Sequence, residues 1–196
     1  MARCEMASFS DAHETTNVPI IAAQLQRLIL PRQSQIWAVL HASDSDDRLA
    51  YSLAATFYGR MCLSGEVCDL SLAQLGWLRR AMAFYQAAAP TIKHGRSTLR
   101  DSGIGNRRHS RGWQTVLRLR DDSQQALVVA HTFNTPGATE LQVDLPPGDW
   151  AVTDTFHTDA VATRLHGCRL AISTRRPYAG LGVLLQRVES VANAPT

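Results

Sequence analysis

Ser10 and Asp11 stand where an apolar, small-residue run over residues 6–9 ends in a polar loop. A rigid strand end that hands a carboxylate to such a loop is how a (β/α) barrel places an acid at its mouth. A carboxyl held there can donate or accept a proton. Ser and Asp also dominate turns and caps, so a strand-end turn is the plainer reading of Asp11. Glu14 is a second candidate acid, or else a loop charge facing solvent or the next helix start. His13 can hydrogen-bond a hydroxyl or simply lie at the surface. Trp37 sits inside the apolar run 36–40, where it can stack on a flat ligand face or serve as core. His131 and Trp150 are assigned to the core of the β-rich half.

The elements that would position these groups are readable from periodicity. Asn17 can cap a helix and Pro19 suits its first turn. Ile21, Leu25 and Leu28 form its apolar face. The run 36–40 predicts a buried parallel strand. His41 and the acidic stretch 44–47 form the next loop and place negative charge at a helix start. That helix is predicted over 47–62, with a ridge of Leu49, Leu53, Phe57 and Met61 and with Gly65 as its cap. Ser71 to Gln74 reads as a capping box. The helix it opens carries Leu75, Leu78, Met82, Tyr85 and Ala89, and Pro90 closes it. Alternating strands and helices imply a parallel sheet. The strands are too few to close a barrel, so the fold is expected to begin upstream of Met1.

From about residue 95 the texture changes. Residues 95–112 read as a connection with one short strand. Beyond Trp113 the period is two: Leu117 and Leu119 alternate with Arg118 and Arg120, and Leu141, Val143 and Leu145 with Gln142 and Asp144. Residues 126–130 are a buried run. A turn at 146–149 precedes a strand from Trp150, and 169–173 and 180–188 complete the set. Short strands with Gly/Pro punctuation predict an antiparallel sandwich. The expected fold class is therefore α/β followed by all-β.

Composition narrows the function classes. The chain has 196 residues, 45% hydrophobic and 19% charged, which supports a real core and excludes a disordered chain. Its net charge is only +3. The densest basic cluster (Arg96, Arg100, Arg107, Arg108, Arg111) is interleaved with Gly, Ser, Asp and Asn and reads as a solvated loop, so no nucleic-acid partner is expected. Cys4, Cys62, Cys68 and Cys168 lack Cys-x-x-Cys spacing, and neither a zinc site nor a cofactor is expected. Cys62 and Cys168, in apolar contexts, read as core residues, which favours a reducing, cytoplasmic location. No run is long enough to span a bilayer, and the first residues carry no signal-peptide core, so no membrane partner is expected.

Several strings, taken in order, resemble the C-terminal part of the retaining α-galactosidases of the melibiase type. They are Ser10-Asp11; Leu30-Pro31 before the run 36–40; the Gly- and Leu-rich stretch 57–65; Asp69-Leu70-Ser71 opening a long helix; Tyr85 to Gly95 at its end; Gly112-Trp113-Gln114; and the strand 126–133. The resemblance covers nearly the whole chain. It implies a catalytic (β/α)8 barrel finishing over residues 1–95 and a β-sandwich over 96–196. It implies hydrolysis of terminal α-galactosides with Asp11 as general acid/base, and Ser10, His13 and Trp37 as substrate contacts. The chain departs from the family where Ala12-His13-Glu14 replaces Asn-Thr-Asp. Nothing matches the family's nucleophilic aspartate in its Lys-x-Asp context, so the chain alone is expected to be inactive. A carbohydrate- or partner-binding remnant without chemistry is the alternative, and homo-oligomerisation stays open.

Overall fold

Ser34, Ile36, Ala38 and Leu40 alternate with Gln35, Trp37 and Val39. In the computed structural model of the protein the first set is buried and the second half-exposed. The structure describes residues 6–8, 16–105, 109–135 and 137–188. This strand, β2 (Ser34–Leu40), runs parallel to β1 (Ala7–Ser8) on one side and to β3 (Arg60–Gly65) on the other. Parallel neighbours require crossovers. These are α1 (Val18–Leu25) and α2 (Asp46–Ala55), the latter tightening into a 3-10 turn at Thr56–Tyr58. Both pack on the Ile36 face of β2, where Ile36, Ala38 and Leu40 join Val18, Ala22, Leu49 and Leu53 in one core. Ser45 caps α2 by accepting from the Arg48 amide, and Asp46 and Asp47 sit in the first turn, favoured by the helix dipole. A full capping box between Ser71 and Gln74 opens α3 (Leu72–His94).

The chain then becomes antiparallel. Strands β4 (Arg96–Asp101), β5 (Trp113–Leu119), β6 (Gln125–Thr132), β8 (Trp150–Phe156) and β11 (Gly180–Arg187) form a five-stranded sheet in the order β4-β5-β6-β11-β8. Strands β7 (Thr139–Asp144), β9 (Val161–His166) and β10 (Arg169–Thr174) form a second, ordered β7-β10-β9. Ala126, Val128, Leu181, Val183 and Leu185 of the large sheet meet Leu141, Val143, Leu170 and Ile172 of the small one. The opposite face of the large sheet, with Leu127, Val129, Phe156 and Leu184, joins the helices and β2 in the first core. The central strands β5, β6 and β11 of the large sheet are thus a middle layer covered on both sides, while β4 and the middle of β8 stay exposed. Two glycines permit this on the helical side. A Cβ on Gly180 would fall 2.7 Å from the Tyr51 Cα, and one on Gly182 would fall 2.7 Å from the Phe84 Cε1.

Where this differs from the periodicity, the reason is physical. The predicted helix 47–62 ends at Ala55, and Met61 belongs to β3, because a short apolar run satisfies helical and strand spacing alike. Gly65 ends that strand rather than capping a helix; it is packed on the Leu40 backbone at φ +87°, which glycine alone adopts freely. In α1 the buried residues are Val18, Pro19, Ile20, Ala22 and Ala23, while Leu28, which falls beyond the end of the helix, is 79% exposed. In α3 the buried line is Leu78, Ala81, Phe84, Ala88 and Ile92, Met82 is exposed, and the helix continues past Pro90 to His94. Strand β9 carried no readable signal. Cys168 is exposed and Cys62 half-buried, so neither is a core cysteine. Trp150 does lie between the two sheets. No described helix is long and apolar enough to cross a membrane.

His131 and Arg118 are the largest departures from simple alternation. Both are buried, on the helical side of the large sheet. The Nε2 of His131 donates to the Tyr51 carbonyl at 3.1 Å, since a carbonyl can only accept; Nδ1 therefore accepts from the Tyr58 hydroxyl at 3.0 Å. Gln114 donates to the same hydroxyl and to the Pro19 carbonyl. Arg118 donates to the carbonyls of Phe57 and Tyr58, to Gln26 Oε1 and to Ser97 Oγ. It thereby serves the carbonyls that the last turn after α2 leaves open.

Burial pushes the His131 imidazole down to about 3, against the opposing effect of its bond to Tyr51. An unfolded histidine titrates near ~6.5. Between those two values the unfolded chain binds a proton that the folded chain refuses, so stability falls as pH drops through that window. The expected slope from this residue is about 1.4 kcal/mol per pH unit. Urea unfolding at pH 7 and pH 5 reads it out, and His131→Gln, which keeps a donor and an acceptor but cannot titrate, should flatten the slope. An equally steep slope in His131→Gln would assign the acid sensitivity to other groups.

Candidate functional site

The C-terminal ends of β2 and β3 lie side by side, Leu40 opposite Gly65, and the loops leaving them form one rim, while β1 pairs with the start of β2, Ser8 opposite Gln35. In parallel sheets this is the edge where ligands and chemistry collect. Ser8 closes β1 and accepts a hydrogen bond from the Trp37 indole Nε1 at 2.9 Å. This contact ties the two strands on the face opposite α1 and α2. Trp37 is half-exposed there, between Gln35 and Val39 on its own strand and opposite Cys62 on β3. Gln35 Nε2 lies 3.0 Å from the Cys62 sulfur, to which it donates. Trp37 is therefore not part of the helical-side core.

At the rim, β2 leaves into His41 and β3 into Glu66. The Glu66 carboxylate accepts from the Ala42 amide at 2.9 Å and faces His41 Nδ1 at 3.5 Å. These contacts, the Ala42 amide first, hold its pKa below the usual carboxylate value. The Glu66 amide donates to the Leu40 carbonyl at 2.7 Å. Asp44 accepts from the His41 amide at 2.8 Å. Gln74, already part of the α3 capping box, donates to the carbonyls of Ala42 and Asp44 at 3.0 Å each. One glutamine thus fastens the start of α3 to the loop that follows β2.

Both rim carboxylates accept from backbone N–H groups and shape the loops; for Glu66 this favours the ionised form, so it is poorly suited to lend a proton. Among the described residues no group of His, Cys, Asp and Glu side chains could hold a metal ion. Ser10, Asp11 and His13 lie outside the described residues; of the predicted contacts the structure places only Trp37. Sequence reading missed Glu66 as a rim residue because it ran the helix over 47–62 and took Gly65 as its cap, where the structure has the strand Arg60–Gly65. The signal was there: Gly59 followed by a short run closed by Gly65.

The fold matches solved glycosidase structures. The chain superposes over 91% of its length on the GH36 alpha-galactosidase AgaA from Geobacillus stearothermophilus, with a TM-score of 0.68 and 14% identity, covering 25% of that enzyme. With the alpha-galactosidase from Lactobacillus brevis it superposes over 95%, TM-score 0.68, 12% identity, covering 27%. With the galactosidase domain of the alpha-galactosidase-sucrose kinase AgaSK the values are 91%, 0.66, 11% and 25%. The chain spans about a quarter of the length of these proteins and matches their C-terminal part. No family model and no curated protein matches the sequence.

Proposed function

We propose that the chain is the C-terminal portion of a retaining glycoside hydrolase of the α-galactosidase type. Residues 1–95 finish a (β/α)8 barrel, and residues 96–196 form a β-sandwich closing against it. Asp11 is the general acid/base, and Ser10, His13 and Trp37 contact a terminal α-galactoside. The observation that carries this reading is the three-stranded sheet itself. Among the described residues it is wholly parallel, covered by helices on one face, and has β1 and β3 as edges. Purely parallel sheets are covered on both faces, or close on themselves as barrels. The half-exposed Trp37 row is then the inner wall of a barrel whose other strands lie elsewhere in the protein. The outward apolar side chains Ile21 and Leu25 of α1, Leu28 just beyond it and Met82 of α3 fit the same picture as faces for neighbouring barrel helices.

Retaining hydrolysis needs two carboxyls about 5–5.5 Å apart across the scissile bond. One attacks the anomeric carbon while the other protonates the departing oxygen; the second then deprotonates the water that releases the sugar. Asp11 supplies the second of these. The first comes from a strand with no counterpart in this sequence. The purified chain is accordingly expected to show no turnover of p-nitrophenyl α-galactoside, while a protein carrying the remaining strands turns it over. Robust turnover by the chain alone would overturn the fragment reading. The alternative of a carbohydrate-binding or partner-binding remnant draws on the occupied state of Asp44 and Glu66; absence of turnover by the longer protein would favour it.

A further inference from the structure

We propose a second saccharide site, for neutral oligosaccharides, in a cleft away from Trp37. It lies where the starts of α2 and α3 meet the β8–β9 and β10–β11 loops. The cleft has a volume of about 640 Å3 and is lined by three carboxylates, Asp46, Asp47 and Asp159, and three guanidinium groups, Arg80, Arg175 and Arg176. These charges cancel, so the cleft favours neither an anion nor a cation. Asp47 is engaged with Arg176 at 2.6 Å and with the Thr158 hydroxyl at 2.6 Å. Asp46, Asp159 and Arg175 have no side-chain partner among the described residues. The cleft therefore offers free acceptors and a free forked donor beside one another, which is the chemistry that pairs with neighbouring hydroxyls.

Trp77 supplies the apolar component. Its ring meets Phe156 edge-on, with centroids 5.9 Å apart, and the Arg80 guanidinium stands 5.2 Å from its centroid. Arg80 is in turn anchored on the Thr155 carbonyl at 3.3 Å. The tryptophan is thus held in place before any ligand arrives, which lowers the ordering cost of binding. A half-exposed indole beside unpaired carboxylate and guanidinium groups fits the apolar face and hydroxyl rim of a sugar ring. The cleft opens beside the start of α2, which follows β2, so a longer glycan held at the strand ends could extend into it.

Only that extension, and the choice of a galactose-containing probe, rests on the α-galactosidase reading. The test is titration of the purified chain with stachyose and with maltotetraose, followed by backbone and indole NMR shifts and by calorimetry. At least one of the two should shift the Trp77 indole N–H together with residues at 158–160 and 175–176. Trp77→Ala and the exposed Asp159→Asn should each weaken binding about tenfold or more, and added salt should change the affinity little. Binding of maltotetraose but not stachyose would support the cleft while counting against an α-galactoside specificity. The proposal is overturned if neither sugar shifts Trp77, if the shifts are confined to Trp37, or if both variants bind as tightly as the parent. Asp159→Asn removes a surface charge and leaves the core intact, so its result stands even if Trp77→Ala folds poorly.

Discussion

Asp11→Asn, introduced into the longer protein that carries the remaining barrel strands, should lower turnover of a natural α-galactoside about 10²–10⁴-fold, the range a single general acid/base contributes. Asparagine keeps the size and hydrogen-bonding reach of the side chain but can neither give nor take the proton. The loss should depend on the leaving group. An alkyl or sugar alkoxide needs protonation as it departs, whereas a nitrophenolate leaves unaided. With the nitrophenyl substrate the first step should therefore be largely spared, and the defect should shift to release of the sugar, where water must be deprotonated. Azide, a nucleophile that needs no base, should restore that second step. A uniform loss across both substrates with no azide rescue would move the acid/base role off Asp11, and Glu14→Gln would then be the next variant to measure.

Arg118→Met should cost about 3 kcal/mol or more of folding free energy, because a buried acceptor left without a donor costs roughly 1–3 kcal/mol. The buried carbonyls of Phe57 and Tyr58 both lose their donor, and the half-buried Gln26 Oε1 and the exposed Ser97 Oγ lose a partner that water can replace. Methionine can fill much of the volume, so the effect is not mainly a cavity. Burial lowers the Arg118 pKa to about 10, so the guanidinium stays charged at neutral pH and is solvated by these dipoles instead of by a carboxylate. Arg118→Lys retains the charge but not the fork, and one ammonium cannot reach four partners spread over three segments. Its loss should fall between that of methionine and the parent. Urea unfolding of the three proteins decides this. A stability unchanged in Arg118→Met would mean that those acceptors find water or other donors.

The parts of the fold legible in the sequence were those with a local cause. The Ser71–Gln74 box, the acidic start of α2 and the continuous apolar strand 36–40 are each written in a few neighbouring residues. What escaped was set by long-range contact. Arg118 looks like the polar half of an alternating strand, yet both faces of its sheet are covered, so the alternation separates two interiors. His131 was assigned to the sandwich for the same reason and lies on the opposite face. The outward side chains of α1 and α3 are apolar enough to mislead any periodicity argument, and on the reading proposed here that is because those faces meet helices absent from this chain. Of the candidate site, Trp37 was legible as a choice between core and ligand wall, and the structure puts it on the face opposite α1 and α2. Glu66 was hidden because the strand that delivers it is six residues long.

The five-stranded sheet has a consequence for anyone treating the C-terminal half as an exchangeable module. Its helical face contributes Val116, Leu127, Val129, Phe156 and Leu184 to the core that α2 and α3 complete, and Gly180 fits the Tyr51 backbone of α2 as Gly182 fits the Phe84 ring of α3. Cutting after Gly95 would leave that face wet on one piece and strip the matching helices on the other. Transplanting residues 96–196 onto a foreign barrel would require the recipient to present the equivalents of Tyr51, Phe57, Tyr58 and Phe84 at the same heights. The productive unit for grafting or for chimeras is therefore the sandwich together with the helices beneath it.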